Sequence, residues 1–284
     1  MVVGAVLLAL GPGKVLDEPQ AQAESATPTA PGTTPTPTPM FSLAAPADPD
    51  ALSVPGASFS GWTLLDRATG KTTGSANADR GLNTVESMIK PWLAADWLRR
   101  EAENGETPSA DSLDELTLMI VDSNDPIAES YYQQGGADAV VERLIDRCGL
   151  SNVVIEPDLW GMTLMTPLDA ARYGACLADG RAAGPQWTPW VLDAMRNIRG
   201  GVDQQDSGEV QGGRWGIIDG LPPELAKDTS FKNGWTLYED GWHVNCLAVN
   251  PAWVLAVMMR MPDELPVAAE GCAALASKLV VDHA

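Results

Sequence analysis

The alternation of apolar and polar positions divides the chain into segments of different character. Residues 1–10 form an unbroken apolar run, too short to span a bilayer. Residues 18–52 have no apolar period and are rich in Ala, Thr and Pro, with Thr-Pro repeats between Thr33 and Pro39, the composition of an extended spacer. Period-two patterns over residues 59–66 and 72–76, separated by Arg67-Ala-Thr-Gly-Lys71, predict a β-hairpin. A helical period then begins at Ser87, with Met88, Trp92, Ala95 and Leu98 on one face and Pro91 early enough to be tolerated. Further helices are expected over 110–122, over 137–148 (stopped by Gly149), from Thr166 through Leu177, and over 187–199. Three strands follow at 228–237, 241–249 and 253–261, and a terminal helix at 264–282. The simplest packing of this order is an α+β sandwich. One antiparallel five-stranded sheet is flanked by terminal helices, and an all-helical subdomain lies beside it. The domain boundaries expected are a partial signal or membrane-anchor segment at 1–17, a linker at 18–52 and one folded domain at 53–284.

Charge and composition narrow the function. The 284 residues carry a formal net charge of −20, and the sequence pI is about 4.3, so nucleic acid and anionic lipid surfaces are excluded as partners. Only His243 and His283 are present, which disfavours a histidine-built zinc site and leaves few options for a His-assisted serine triad; no metal and no cofactor is expected. The cysteines, Cys148, Cys176, Cys246 and Cys272, form no C-x-x-C pair. An even count behind an export-like segment predicts two disulfides, Cys148–Cys176 and Cys246–Cys272, each within its own half of the chain; four buried free thiols are the alternative. The run at 1–10 lacks a basic start, as the back half of a signal or N-terminal anchor would, and no Cys follows it for lipid attachment there. A secreted or membrane-tethered, extracytoplasmic monomer is expected.

The candidate chemistry sits at Ser87-Met-Ile-Lys90. On a helix, residues three apart share a face, so hydroxyl and amine would lie together at the positive end of the dipole. A serine hydroxyl attacks only once a base takes its proton, and a lysine amine can be that base if it is neutral. Neutrality at pH 7 costs about 4–5 kcal/mol from an ordinary pKa near 10.4, a cost that burial and a second cation reduce. A second lysine is therefore expected nearby, and Phe231-Lys232-Asn233-Gly234-Trp235 lies in a predicted strand. Between the two lies Val121-Asp-Ser123-Asn124-Asp125-Pro126.

The ordered set S-x-x-K, S-N-D and K-N-G resembles the serine β-lactamase and penicillin-binding-protein superfamily, most closely its class A β-lactamase-like branch, which carries S-x-x-K, S-D-N and K-T-G. The resemblance spans about residues 55–282 and includes Asp66-Arg-Ala-Thr-Gly-Lys71 and Trp160 through Ala171. It implies Ser87 as acylated nucleophile, Lys90 as general base, and Ser123 as proton relay to the leaving nitrogen. Lys232 would hold Lys90 neutral and attract a substrate carboxylate. The backbone N–H groups of Ser87 and Trp235 would form the oxyanion hole, with Gly234 allowing close approach of substrate. Asp125, Asn233, Gly234 and Trp235 are the implied substrate-binding positions.

Three positions depart from the family pattern. Asp125 stands where the family has an asparagine amide; a carboxylate cannot donate to a substrate carbonyl but can pair with Lys90. Asn233 replaces a hydroxyl residue. The family's E-x-x-L-N loop, whose glutamate activates the deacylating water, has no equivalent between Cys148 and Thr166; only Glu156 and Asp158 are available there. The expected activity is that of an exported serine hydrolase forming a Ser87 acyl-enzyme on a β-lactam or peptidoglycan-type amide, with slow deacylation. A D,D-peptidase or esterase falls within the same reading. The alternative is a catalytically degenerate relative that binds a cell-wall fragment or a protein partner.

Overall fold

The computed structural model describes residues 40–204, 212–262 and 264–283. The expected anchor segment at 1–17 and most of the expected linker lie outside the described residues. The elements in chain order are β1 (Phe41–Leu43), β2 (Phe59–Asp66), β3 (Thr72–Gly74), β4 (Asn83–Thr84), α1 (Lys90–Glu103), α2 (Ala110–Val121), α3 (Asp125–Gln134) and α4 (Asp138–Cys148). They continue with β5 (Val153–Val154), β6 (Leu164–Met165), α5 (Pro167–Ala178), α6 (Gly184–Arg196), α7 (Pro223–Ala226), β7 (Ser230–Tyr238), β8 (Gly241–Val249), β9 (Trp253–Met261), α8 (Leu265–Leu279) and β10 (Val280–Asp282).

The main sheet has five antiparallel strands in the order β3-β2-β9-β8-β7, the arrangement expected from the period-two segments. Its central strands are apolar at nearly every position because both faces are covered. Val244, Cys246 and Ala248 of β8 and Leu255, Val257 and Met259 of β9 pack with Leu265, Cys272 and Leu275 of α8. The alternate residues Leu247, Val249, Val254, Ala256 and Met258 join Met88, Trp92 and Tyr173 in the core shared with the helices. A one-residue slip in either strand would exchange these two sets, so the register is strongly specified.

Several boundaries differ from the sequence expectation. Residues 40–52, assigned to the linker, carry β1 and a 3-10 turn at Pro49–Ala51, and β1 pairs with β10 at the C-terminus. The expected terminal helix over 264–282 ends at Leu279, because Val280–Asp282 supplies β10. Residues 125–134, not expected as a helix, form α3, with Asn124 as its N-cap accepting from the Ile127 N–H at 2.9 Å. A small three-stranded sheet, β4-β6-β5, also has strands too short to leave a period-two signal.

Two disulfides are present, Cys148–Cys176 joining α4 to α5 and Cys246–Cys272 joining β8 to α8. Each closes a loop of fewer than thirty residues, worth about 3–4 kcal/mol in the chain-entropy picture. The helical block has a polar anchor as well. Asp96 of α1 is buried and accepts from Arg99 (2.5 Å), Arg100 (3.0 Å) and Arg143 of α4 (2.6 Å). Among the described residues no helix is long and apolar enough to cross a membrane.

Candidate active site

Ser87 lies in a 3-10 turn, Glu86–Ile89, that leads directly into α1. The preceding strand β4 is pinned to the main sheet: Asn83 Nδ2 donates to Asn245 Oδ1 (3.0 Å) and to the Met259 carbonyl (3.2 Å), and Asn245 Nδ2 donates to the Thr84 carbonyl at 2.6 Å. Beyond the turn, the buried Tyr173 hydroxyl accepts from the Trp92 N–H (3.1 Å) and donates to the Met88 carbonyl (3.2 Å). The turn that bears Ser87 is therefore tied on both sides. Within it, Glu86 has φ +50°, a backbone region that a side chain with a Cβ occupies only under constraint.

Lys90 and Lys232 are fully buried and converge on Ser123. The Lys90 ammonium donates to the Ser123 carbonyl, to Ser123 Oγ at 3.1 Å and to Asp125 Oδ1 at 2.5 Å, while Lys232 donates to the same Ser123 Oγ at 2.9 Å. Ser123 itself has φ +58°, which turns both its carbonyl and its hydroxyl toward Lys90. Its turn is braced from outside by Arg199, whose Nε donates to Asp122 at 2.8 Å. Burial pushes the Lys90 amine down to about 8, with Asp125 pulling in the opposite direction. Lys232 is held well below the ordinary lysine range by burial, with the charge of Lys90 adding to the effect. Asp125 is thus the ion-pair partner of Lys90, and at 55 % side-chain exposure it sits at the mouth of the site.

The expected direct contact between Ser87 and Lys90 is absent. Among the described residues no hydrogen bond joins the Ser87 hydroxyl to the Lys90 amine, whose donors are taken by Ser123 and Asp125. The reason is the acidic residue at position 125: a carboxylate competes for an ammonium more strongly than a neutral hydroxyl does.

Strand β7 splits its residues by parity. Lys232, Gly234, Thr236 and Tyr238 face the turn that bears Ser87. A Cβ on Gly234 would lie 2.6 Å from the Val85 carbonyl oxygen and 2.7 Å from the Met88 nitrogen, so only glycine permits this approach of two backbones. Asn233 and Trp235 point away from the turn. The Asn233 amide donates to the carbonyls of Gly213 (2.9 Å) and Trp215 (2.7 Å), and the Trp235 ring packs edge-on against Trp215 at 5.2 Å. Any contribution of Trp235 to an oxyanion hole would come from its backbone.

The segment between α4 and α5 is anchored by buried Asp169, which accepts from the N–H groups of Ser151 (3.2 Å) and Asn152 (2.7 Å). Glu156 is exposed and Asp158 lies on a turn with φ +62°; neither carboxylate has a bond to Ser87, Lys90 or Ser123 among the described residues. From this segment Trp160 reaches the site, its ring centroid 5.4 Å from the Lys90 Nζ and its indole N–H donating to Glu129 at 3.0 Å, while the Thr163 carbonyl accepts from the Val85 N–H at 2.8 Å.

Glu86, Asn83, Asn245 and Trp160 are site residues that sequence reasoning passed over. The available signal for Glu86 was a charged residue inside Val85-Glu-Ser-Met-Ile89, an otherwise apolar context. His243 is buried, with Nδ1 at 2.8 Å from Thr84 Oγ1 and Nε2 at 3.0 Å from Asp240. Burial holds its imidazole below the usual histidine range.

No protein-family model matches the chain. Two curated relatives, named "Putative lipoprotein LppW" in Mycobacterium tuberculosis and in Mycobacterium bovis, are each 33% identical over 175 residues, which is 61% of this chain and 52% of the relative. The chain spans about half the length of the curated relatives it matches. Among solved structures, a mutant of the class A β-lactamase of the last common ancestor of Gram-negative bacteria aligns with TM-score 0.60 at 15% identity, covering 80% of this chain and 94% of its own. A β-lactamase from Xanthomonas campestris gives 0.59 at 16% (78% and 91% covered), and PBP-A gives 0.58 at 17% (80% and 90%). The fold is that of the class A β-lactamases and PBP-A.

Proposed function

We propose that the protein is an exported serine acyl-transfer enzyme acting on a β-lactam or peptidoglycan-type amide. The observation that carries this reading is the convergence of two buried lysines on one hydroxyl, Ser123 Oγ, beside the turn that bears Ser87. Ser87 Oγ attacks the substrate carbonyl and gives its proton to Lys90. Ser123 Oγ, between the two amines, passes a proton to the leaving nitrogen as the C–N bond breaks, leaving an ester on Ser87. Lys232 receives the substrate carboxylate, and the N–H groups of Ser87 and Trp235 bind the oxyanion, each such donor being worth about 2.7–4 kcal/mol. Export is supported by the two disulfides and by relatives named as lipoproteins.

Deacylation is slow in this reading. The side of the site that faces the α4–α5 segment presents an indole, Trp160, and Glu156 is exposed without a bond to the site. Without a base for water the ester is long-lived, since such help is worth about 10²–10⁴ in rate. A second reading, a binding protein that has lost catalysis, is favoured by the Lys90–Asp125 ion pair, which keeps the base occupied. Incubation with a labelled penicillin followed by intact mass separates the two. The enzyme reading expects one adduct, absent in Ser87→Ala; no adduct with several β-lactams and an active ester supports the binding reading.

A further inference from the structure

Glu86 is the buried charged residue of the nucleophile turn for which the acyl-transfer scheme has no use. Its side chain is 7% exposed, and a buried carboxylate is costly unless its oxygens are satisfied. Both are met from one strand: Thr236 Oγ1 lies 2.7 Å from Oε2, its single proton shared between that oxygen and the Trp235 carbonyl (also 2.7 Å), and Tyr238 Oη donates to Oε1 at 2.9 Å. Among the described residues no Lys, Arg or His forms an ion pair with it, so these two neutral hydroxyls are its hydrogen-bond partners, while its charge acts at longer range on Lys90 and His243, favouring their protonated forms. Burial and the Glu86 charge raise the Tyr238 phenol above its ordinary value, so it keeps its proton and remains a donor.

The two anchor points have a specific relation to the expected oxyanion donors. Ser87 directly follows Glu86, and Trp235 directly precedes Thr236. The Glu86–Thr236 bond therefore spans the gap across which the Ser87 and Trp235 N–H groups must converge. Around that gap the two backbones touch, as the space at Gly234 shows. The clamp is also braced on its far side. The Tyr238 ring lies 4.5 Å from the His243 ring, and His243 bonds Thr84, two residues before Glu86. A Glu86 backbone at φ +50° persists only if surrounding contacts over-determine it, and these are the contacts that do so.

We propose that Glu86 is the positioning residue of the oxyanion hole, its carboxylate clamping the Ser87 turn to strand β7 so that the N–H groups of Ser87 and Trp235 hold a fixed separation. The proposal rests on the acyl-enzyme reading of Ser87. It makes the geometry of the clamp the useful property and its charge a liability, because negative charge near the site opposes the oxyanion that forms there. A glutamine at 86 keeps an acceptor for one hydroxyl and can donate to the other, since hydroxyls both donate and accept. An alanine loses both bonds.

The test uses the full chain and stopped-flow acylation with a fluorescent penicillin, which separates the non-covalent Kd from the acylation rate constant. Thermal unfolding confirms folding of each variant. Glu86→Ala should slow acylation roughly ten- to a hundredfold, the penalty of misplacing catalytic groups by a fraction of an ångström to an ångström, with Kd within about threefold. Glu86→Gln should recover most of that loss, to within about threefold of wild type. Adding Thr236→Val to Glu86→Ala should cost little more, because both break one clamp. If Glu86→Ala does not fold, the pair Thr236→Val/Tyr238→Phe, which removes both donors, should show the same slowing. Unchanged acylation in folded Glu86→Ala overturns the proposal, as does Glu86→Gln being as slow as alanine, or a loss confined to Kd. A wild-type protein that no penicillin or active ester acylates removes the acyl-enzyme reading and this inference together, whereas a normally acylated Glu86→Ala removes the inference alone.

Discussion

In the acyl-enzyme reading, with Lys90 as the base for Ser87, replacing Asp125 by asparagine should speed acylation at neutral pH. The carboxylate lies 2.5 Å from the Lys90 Nζ, and the amine titrates near 8 with that carboxylate in place. Two unit charges 4 Å apart attract by about 4 kcal/mol at an effective permittivity of 20. Asp125 is 55 % exposed, so solvent screens much of this; roughly 1.5–2.5 kcal/mol is a reasonable remainder. That corresponds to about 1–2 pKa units and moves Lys90 to between about 6 and 7. Only neutral Lys90 can take the Ser87 proton, so acylation rises with pH through the Lys90 pKa. At pH 7 the neutral fraction should climb from about a tenth to about a half or more, and acylation by roughly five- to tenfold.

The assay is the second-order acylation constant from pH 5.5 to 9.5. The wild-type profile should rise with a midpoint near 8, and the Asp125→Asn profile should have the same form shifted about 1–2 units toward acid. By pH 9 the two should meet, because Lys90 is then neutral in both. Two results would refute the reasoning. A coincident midpoint would mean that Asp125 does not control the Lys90 proton. A uniform loss at every pH would mean that the carboxylate itself serves catalysis.

Two further outcomes follow from the packing. Gly234→Ala would put its Cβ 2.6 Å from a backbone carbonyl oxygen that cannot yield, so the β7 backbone must back away from Ser87; acylation should fall more than about tenfold, read by the same penicillin assay. Asp96→Ala leaves Arg99, a buried side chain, and its neighbours Arg100 and Arg143 without their common carboxylate, and should cost about 3–5 kcal/mol in urea unfolding with no role in the chemistry.

The parts of this fold legible in the sequence are those with a strong period. Strands β7, β8 and β9 appear within two residues of their expected limits because the central pair is apolar on both faces and turns punctuate it. Helix α4 was recognisable from its stripe of Val140, Val141, Leu144 and Cys148 and from Gly149, which ends it at φ +65°. Helix α3 escaped notice because its first residues, Asp125 and Pro126, also suit a turn. Ser87, Lys90, Ser123 and Lys232 stand out in the sequence through motifs that resemble those of the β-lactamase superfamily, and the structure brings both lysines to Ser123. The bonds of the site do not stand out there: which partner Lys90 takes depends on where α3 delivers Asp125, and parity along β7 decides that Asn233 leaves the site while Thr236 joins it. Trp160 and Glu86 meet the site through tertiary contacts, for which a linear pattern has no marker.

The charge balance of the site links these residues to substrate choice. Two buried amines share one hydroxyl, and one half-exposed carboxylate, Asp125, pairs directly with Lys90 alone. Asp125 favours the proton on Lys90, while burial and the charge of Lys90 hold Lys232 well below the ordinary lysine range. That is the reverse of what acylation requires. A substrate carboxylate arriving at Lys232 would reverse the preference, stabilising the ammonium there and adding a second positive charge beside Lys90. Lys90 then loses its proton more readily, and Ser123, within hydrogen-bond distance of both amines, is the group through which it can move. An anionic substrate would thereby prepare its own base. A neutral ester, which brings no carboxylate to Lys232, would meet Lys90 still paired with Asp125 and depend on high pH to be attacked.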